Sequence, residues 1–136
     1  MSLEIPVDEI LARAPERART AYTNLVTHRE SRYDAHTGWS CAYITQQDLA
    51  DEMDRSLRTA TRALNDLRRI GLVRILAWPG ARTETQVRVG PVAIASVFGP
   101  IRQAQEQMPH HQLVDCAIRL LVQSNRELEE TMPESE

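Results

Sequence analysis

Between positions 55 and 82 stand Arg55, Ser56, Arg58, Thr59, Thr61, Arg62, Asn65 and Arg82. Arginine, threonine and asparagine suit the reading of nucleic acid. A guanidinium donates paired hydrogen bonds to a guanine edge or a phosphate, a carboxamide pairs with an adenine edge, and a threonine methyl meets a thymine methyl. This is chemistry of recognition, not of bond making. The sequence shows no nucleophile–base pair, phosphate-binding glycine loop or metal–carboxylate set, so we read no enzyme, no metal site and no cofactor.

Three elements must position these residues. Thr45 is a good N-cap, answered by Asp48 three residues on, and Leu49, Ala50 and Met53 then share one helical face. Ser56 is a second N-cap. After it, Ala60, Ala63, Leu64, Leu67 and Ile70 recur at steps of three and four and form a buried stripe, with Arg58, Thr61, Arg62, Asn65 and Arg69 off it. Gly71 ends this helix, as a residue that tolerates the left-handed conformation. Leu72–Ala77 is β-rich, Pro79-Gly80 signals a turn inside the polar stretch Gly80–Glu84, and Thr85–Val89 alternates polar and apolar. The hairpin so predicted has Arg82 near its tip, and Cys41–Ile44 is a third β-compatible piece able to pair with it.

Charge singles out the same region. The whole chain of 136 residues carries −3, yet residues 55–88 hold eight arginines against Asp66 and Glu84, an excess of +6 that leaves −9 elsewhere. A positive footprint confined to one helix and one hairpin is what contact with nucleic acid requires, and an acidic remainder discourages diffuse sticking. Every basic residue is arginine. The length fits one small domain, and 42% hydrophobic residues exclude a disordered chain. No membrane-length apolar run or secretory signal segment is seen, and Cys41 and Cys116 stand far apart, so a reducing cytoplasm is expected, in association with the nucleoid.

The flanks read as helices. Asp8–Arg13 is a short piece broken by Pro15, after which Ala18, Ala21, Tyr22, Leu25 and Val26 form a stripe. Ser31–Ser40 reads as a loop. Val92–Phe98 is apolar, Gly99-Pro100 breaks it, and Ile101–Met108 resumes a helix. From His110 to Glu130, Leu113, Val114, Ala117, Leu120, Leu121, Ser124 and Leu128 fall on one side, widened by Ile118 and Val122, and Thr131–Glu136 is an acidic, frayed tail. That broad stripe leads us to expect a homodimer through the 110–130 helix; the alternative is a cover for the protein's own first helix. His110-His111 with Cys116, and His36 with Cys41, fit no usual metal spacing. Trp39, Tyr33 and Tyr43 are read as packing the loop on the core, and Asp48, Asp51, Glu52 and Asp54 as a solvated face.

Ser56–Val73, preceded by Gln47-Asp-Leu-Ala50, resembles the core of bacterial winged helix-turn-helix proteins, with a leucine–alanine pair in the first helix and a serine and a threonine opening the second. The stretch from Ala18 to Thr45 is similar to the helix-turn-helix domains of phage and plasmid replication and regulatory proteins. The resemblance covers roughly residues 18–90 and implies a mainly α fold with a small β-hairpin wing (α+β). It further implies a DNA-binding domain over 1–90, with its core in 15–90, and an additional helical region over 91–136. It implies that Ser56 caps the helix or meets a phosphate, and that Arg58, Thr59, Thr61, Arg62 and Asn65 face bases or phosphates. Arg82 on the wing would approach the minor groove or a flanking phosphate. The family's turn usually carries glycine and an aliphatic residue where Asp54 and Arg55 stand here. Aspartate tolerates the turn's backbone angles, but arginine does not fill an apolar slot. Either Leu57 supplies the packing, or Arg55 reaches outward to a phosphate.

Two functions compete on this reading. One is sequence-specific double-stranded DNA binding by a dimeric transcriptional repressor. The other is a plasmid or phage replication-initiation or centromere-binding partition protein using the same helix on repeated sites. A third, a winged-helix module turned to protein–protein contact, would show no salt-sensitive DNA binding.

Overall fold

Burial of the two helical stripes against a small sheet organises the chain. The structure, a computed structural model, describes residues 4–28, 32–78, 82–93 and 109–131. Within them the order is β1 (Glu4–Ile5), α1 (Val7–Leu11), α2 (Glu16–Thr27), β2 (Arg32–Asp34), β3 (Trp39–Ala42), α3 (Gln46–Met53), α4 (Leu57–Arg69), β4 (Val73–Trp78), β5 (Arg82–Arg88), β6 (Val92–Ala93) and α5 (His110–Thr131). The class is α+β. Four strands form an antiparallel sheet in the order β2-β3-β5-β4, and β1 pairs with β6 apart from it. The expected Ile101–Met108 helix and most of the acidic tail lie outside the described residues, and of Val92–Phe98 only β6 lies within them.

The amphipathic helices form as their stripes require. Ala18, Ala21 and Leu25 of α2, Leu49, Ala50 and Met53 of α3, and Ala60, Ala63, Leu64 and Leu67 of α4 are all buried in one cluster. Both caps form: Thr45 Oγ1 accepts from the Asp48 amide at 3.0 Å and Ser56 Oγ from the Thr59 amide at 3.2 Å. The hairpin β4–β5 runs in register from Val73 opposite Val87 to Trp78 opposite Arg82, and β3 adds to its other edge with Trp39 opposite Arg88. The phenol of Tyr22 donates to the Arg88 carbonyl at 2.7 Å and ties α2 to the end of β5. Burial, with Asp8 nearby, pushes that phenol up to about 12.

Three expectations need correction. The segment 31–40 is not a loop: Arg32–Asp34 pairs antiparallel with Trp39–Cys41, because Gly38, at φ 78°, closes a turn that returns Trp39 to the core. The polar stretch Gly80–Glu84 is not all turn, since β5 begins at Arg82, and Glu84 is buried where Cys41 and Gln86 meet it. The stripe of the long helix is not free for a second copy. Leu113, Val114, Ala117 and Leu121 are buried in the same cluster as Ile5, Ile10, Leu72 and Val73, and α5 packs on α1, β1 and β4. Ser124, expected on that stripe, is exposed, and Asn125 takes the buried place. Polar contacts hold the start of α5 to α1: Glu9 accepts from His110, and Arg13 donates to Asp115 and to the His111 carbonyl. The Arg13 guanidinium holds Asp115 below the usual carboxylate range.

Gly71 is the tightest point. Its φ is +80°, and a Cβ there would collide with Cβ of Leu121. Gly71→Ala is therefore expected to lower unfolding free energy by roughly 2–4 kcal/mol, from left-handed strain and overpacking together. Denaturant titration of both proteins measures it; a loss below about 0.5 kcal/mol would mean that the α4–β4 junction relaxes freely.

Candidate nucleic-acid interface

The junction of α3 and α4 is tight, and a left-handed aspartate makes it so. Asp54 adopts φ 55°, ψ 46°, and the Arg55 amide reaches back to the Ala50 carbonyl at 3.0 Å, closing the end of α3. Asp54 thus fills the place where glycine would be usual. Of the two options for the turn, the outward one holds: Arg55 is exposed, 3.9 Å from Glu16, and Leu57 is itself 46% exposed and supplies no buried packing.

From that turn α4 presents Arg58, Arg62, Asn65 and Arg69 at steps of four, three and four, so all lie on one side. All four are exposed. Among the described residues, Arg58 and Arg62 make no ion pair, and Arg69 only a loose one, 3.9 Å from Asp66. Asp66, the sole acid of α4, is turned inward at 9% exposure. Arg17 on α2 donates to it at 2.6 Å, so the carboxylate neutralises α2 and not the outer row. The outer side of α4 therefore shows positive charge and no exposed acid.

The hydroxyls are placed differently. Ser56 donates to Thr59 Oγ1 at 3.0 Å while capping the helix, so both belong to the helix start. The Thr61 hydroxyl lies 2.8 Å from Gln46 Oε1 and 2.9 Å from the Leu57 carbonyl, which joins the first turn of α3 to α4. Arg82 opens β5 opposite Trp78, at the end of the hairpin nearest its turn. The site residues expected from sequence thus gather at the α3–α4 turn, along α4 and at the hairpin tip. Gln46 and Leu57 join them and were not anticipated. Their signal was positional: each opens a helix beside its cap.

Other arginines of the positive segment are structural. Arg74 lies 4.0 Å from the ring centre of Trp39 and donates to Gln86. Arg88 donates to the carbonyls of Thr37, Gly90 and Pro91. Burial lowers the pKa of both from its ordinary value. Arg68 is taken by Glu129 at 2.9 Å. Trp39 is buried as expected, whereas Tyr33 and Tyr43 are about half exposed and do not pack the loop. Cys41 donates to Glu84, and burial pushes its thiol up to about 11, which leaves it protonated and unreactive near neutrality. Among the described residues, no three metal-binding side chains converge, and no helix is long and apolar enough to cross a membrane.

No protein-family model, curated protein or solved structure matches this chain. The weight of a functional reading therefore rests on the geometry of α3, α4 and the β4–β5 hairpin.

That geometry depends on the start of α4. Ser56→Ala should cost about 1 kcal/mol of stability through loss of the cap. Thr59→Val, which keeps the amide-to-Ser56 bond, should cost less. Equal costs in thermal or chemical unfolding would show that the hydroxyl pair, not the cap, holds the turn.

Proposed function

We propose that this chain binds double-stranded DNA sequence-specifically as a winged helix-turn-helix protein and acts as a transcriptional repressor. In this reading α3 and α4 are the helix-turn-helix, α4 lies in the major groove, and β4–β5 is the wing. The observation that carries it is the row Arg58, Arg62, Asn65 and Arg69 on the exposed side of α4, freed of acid by the inward turn of Asp66. An α-helix with its side chains is about 10–12 Å across, and the major groove is about 12 Å wide. The row spans about 16 Å along the helix, which suits roughly five base pairs. Leu57 adds an exposed apolar group beside it, of the kind that meets thymine methyls. Arg55 and Arg82 flank the row from the turn and the hairpin, where phosphates would pass.

The test is titration of DNA recovered with the protein from its own genome. Arg58→Ala and Arg62→Ala should each weaken specific binding by about 1–3 kcal/mol. Arg82→Ala should weaken all sequences alike and lower the slope of log affinity against log salt by about one. Unchanged affinity in both α4 variants would place the binding face elsewhere. Recovery of repeat arrays from an origin or centromere, in place of a promoter site, would replace repression by a replication or partition role.

A row that reads so few base pairs gains affinity from a second copy, and we include a homodimer in the proposal. Since the buried stripe of α5 is occupied within the chain, the dimer contact is assigned to its outer side. There Ile118 stands with Arg119, Glu127 and Glu130, charges that meet as opposites when two α5 helices pair antiparallel. Light scattering should give twice the chain mass. A monomeric mass at micromolar concentration would overturn the dimer.

A further inference from the structure

A cleft of about 280 Å³ lies between the C-terminal halves of α4 and α5. Its lining divides into three kinds. Arg68, Arg69 and Arg126 bring positive charge, Val73 and Val122 are apolar, and Asn125 is polar and 5% exposed. The one carboxylate, Glu129, is already committed: it accepts from Arg68 at 2.9 Å and from the Ile75 amide at 2.9 Å. Arg69 holds only its loose contact with Asp66, and Arg126 makes no ion pair among the described residues. Two guanidiniums therefore remain available to an anion.

Asn125 adds a second, independent demand. Its Nδ2 donates to the Gly71 carbonyl at 2.9 Å, which fixes the orientation of the amide. Its Oδ1 is buried and finds no donor among the described residues. Buried polar atoms are nearly always paired, so this oxygen calls for a hydrogen-bond donor.

We propose that this cleft binds a small hydroxy acid. The carboxylates meet Arg69 and Arg126, the carbon skeleton lies against Val73 and Val122, and the hydroxyl donates to Asn125 Oδ1. Inorganic anions would leave the apolar walls unused. A DNA phosphodiester has no donor for the asparagine. An amino acid would bring an ammonium among three guanidiniums, which like-charge repulsion disfavours. The volume sits at the small end for ligand pockets and suits an acid of a few carbons.

The site reaches α4. Asn65 also lines the cleft, and Asn65 and Arg69 belong to the outward row. A bound acid that draws them in takes two groups from that row. This regulatory consequence rests on the DNA reading above, whereas the binding itself does not. By linkage, the factor by which the acid weakens DNA binding equals the factor by which DNA weakens binding of the acid.

NMR titration of the full chain without DNA tests the site, with L-malate, succinate and L-aspartate as probes. Malate should bind at millimolar concentration or below and shift the signals of the Asn125 side chain and Gly71. Succinate, which lacks only the hydroxyl, should bind roughly three- to tenfold more weakly, and aspartate more weakly than malate. Arg126→Gln, at an exposed position, should weaken malate without unfolding the chain. No shift at Asn125, equal affinity for malate and succinate, or an unchanged affinity in Arg126→Gln would each overturn the assignment. Failure of DNA binding with malate binding intact would remove the repressor reading and leave the site standing.

Discussion

The chain passes from α4 into β4 at Gly71, and three elements meet there because this residue has no side chain. Its left-handed backbone ends α4, and the Leu72 amide returns to the Leu67 carbonyl at 3.0 Å. The absent Cβ lets Leu121 of α5 press against the turn. The Gly71 carbonyl, which the end of a helix leaves unsatisfied, is taken by Asn125 of the same α5. A substituent at this point would push α5 away, uncover the stripe of Leu113, Val114, Ala117 and Leu121, and release the one element that backs both β4 and α1. The direction in which α4 points is thus set from behind, by α5, as much as by α3.

Charge follows from the same arrangement. A segment with eight arginines could not pack if all faced outward or all inward. The fold divides them. Arg74 and Arg88 lie against Trp39, where a flat guanidinium covers an aromatic face while its donors reach Gln86 and backbone carbonyls. Arg68 is paired with Glu129. Only the row on α4 is left without strong partners. Asp66 makes this possible: an acid on the outer side would have paired with Arg62 or Arg69 at helical spacing, and its place against Arg17 avoids that.

How much of this was legible in the sequence depends on whether the signal was local. Caps, stripes and glycine ends are local, so α2, α3 and α4, the hairpin and the left-handed Asp54 could be read from residue order. The β2 strand could not. Arg32-Tyr33-Asp34 is exposed on both faces, has no alternation to betray it, and exists because Trp39 and Ser40 pair back across a turn. Buried Asp66 and Asn125 were missed for a related reason. A polar residue joins an apolar stripe only when a partner far along the chain satisfies it, Arg17 in one case and Gly71 in the other. Asp66 sits three residues after Ala63 and four before Ile70, so its spacing placed it at the stripe's edge, but spacing alone does not supply the arginine. The width of the α5 stripe was visible; what it covers was not. A stripe records that a surface is buried and carries no mark of whether the covering surface belongs to the same chain.

The interface residues lie at the crossing of these local and distant constraints. Arg58 sits near the capped start of α4, where Ser56 and the Asp54 turn hold it against α3, and its position owes little to the rest of the chain. Asn65 and Arg69 stand beyond the middle of the same helix, alongside the α5 cleft, and their surroundings are made by residues more than fifty positions away. One face of one helix is therefore governed at its two ends by different parts of the molecule. A change at the α3–α4 turn acts on the first end directly. A change in how α5 holds Gly71 acts on the second, and because α4 is continuous from Leu57 to Arg69, with its stripe buried throughout, the two ends move as one body.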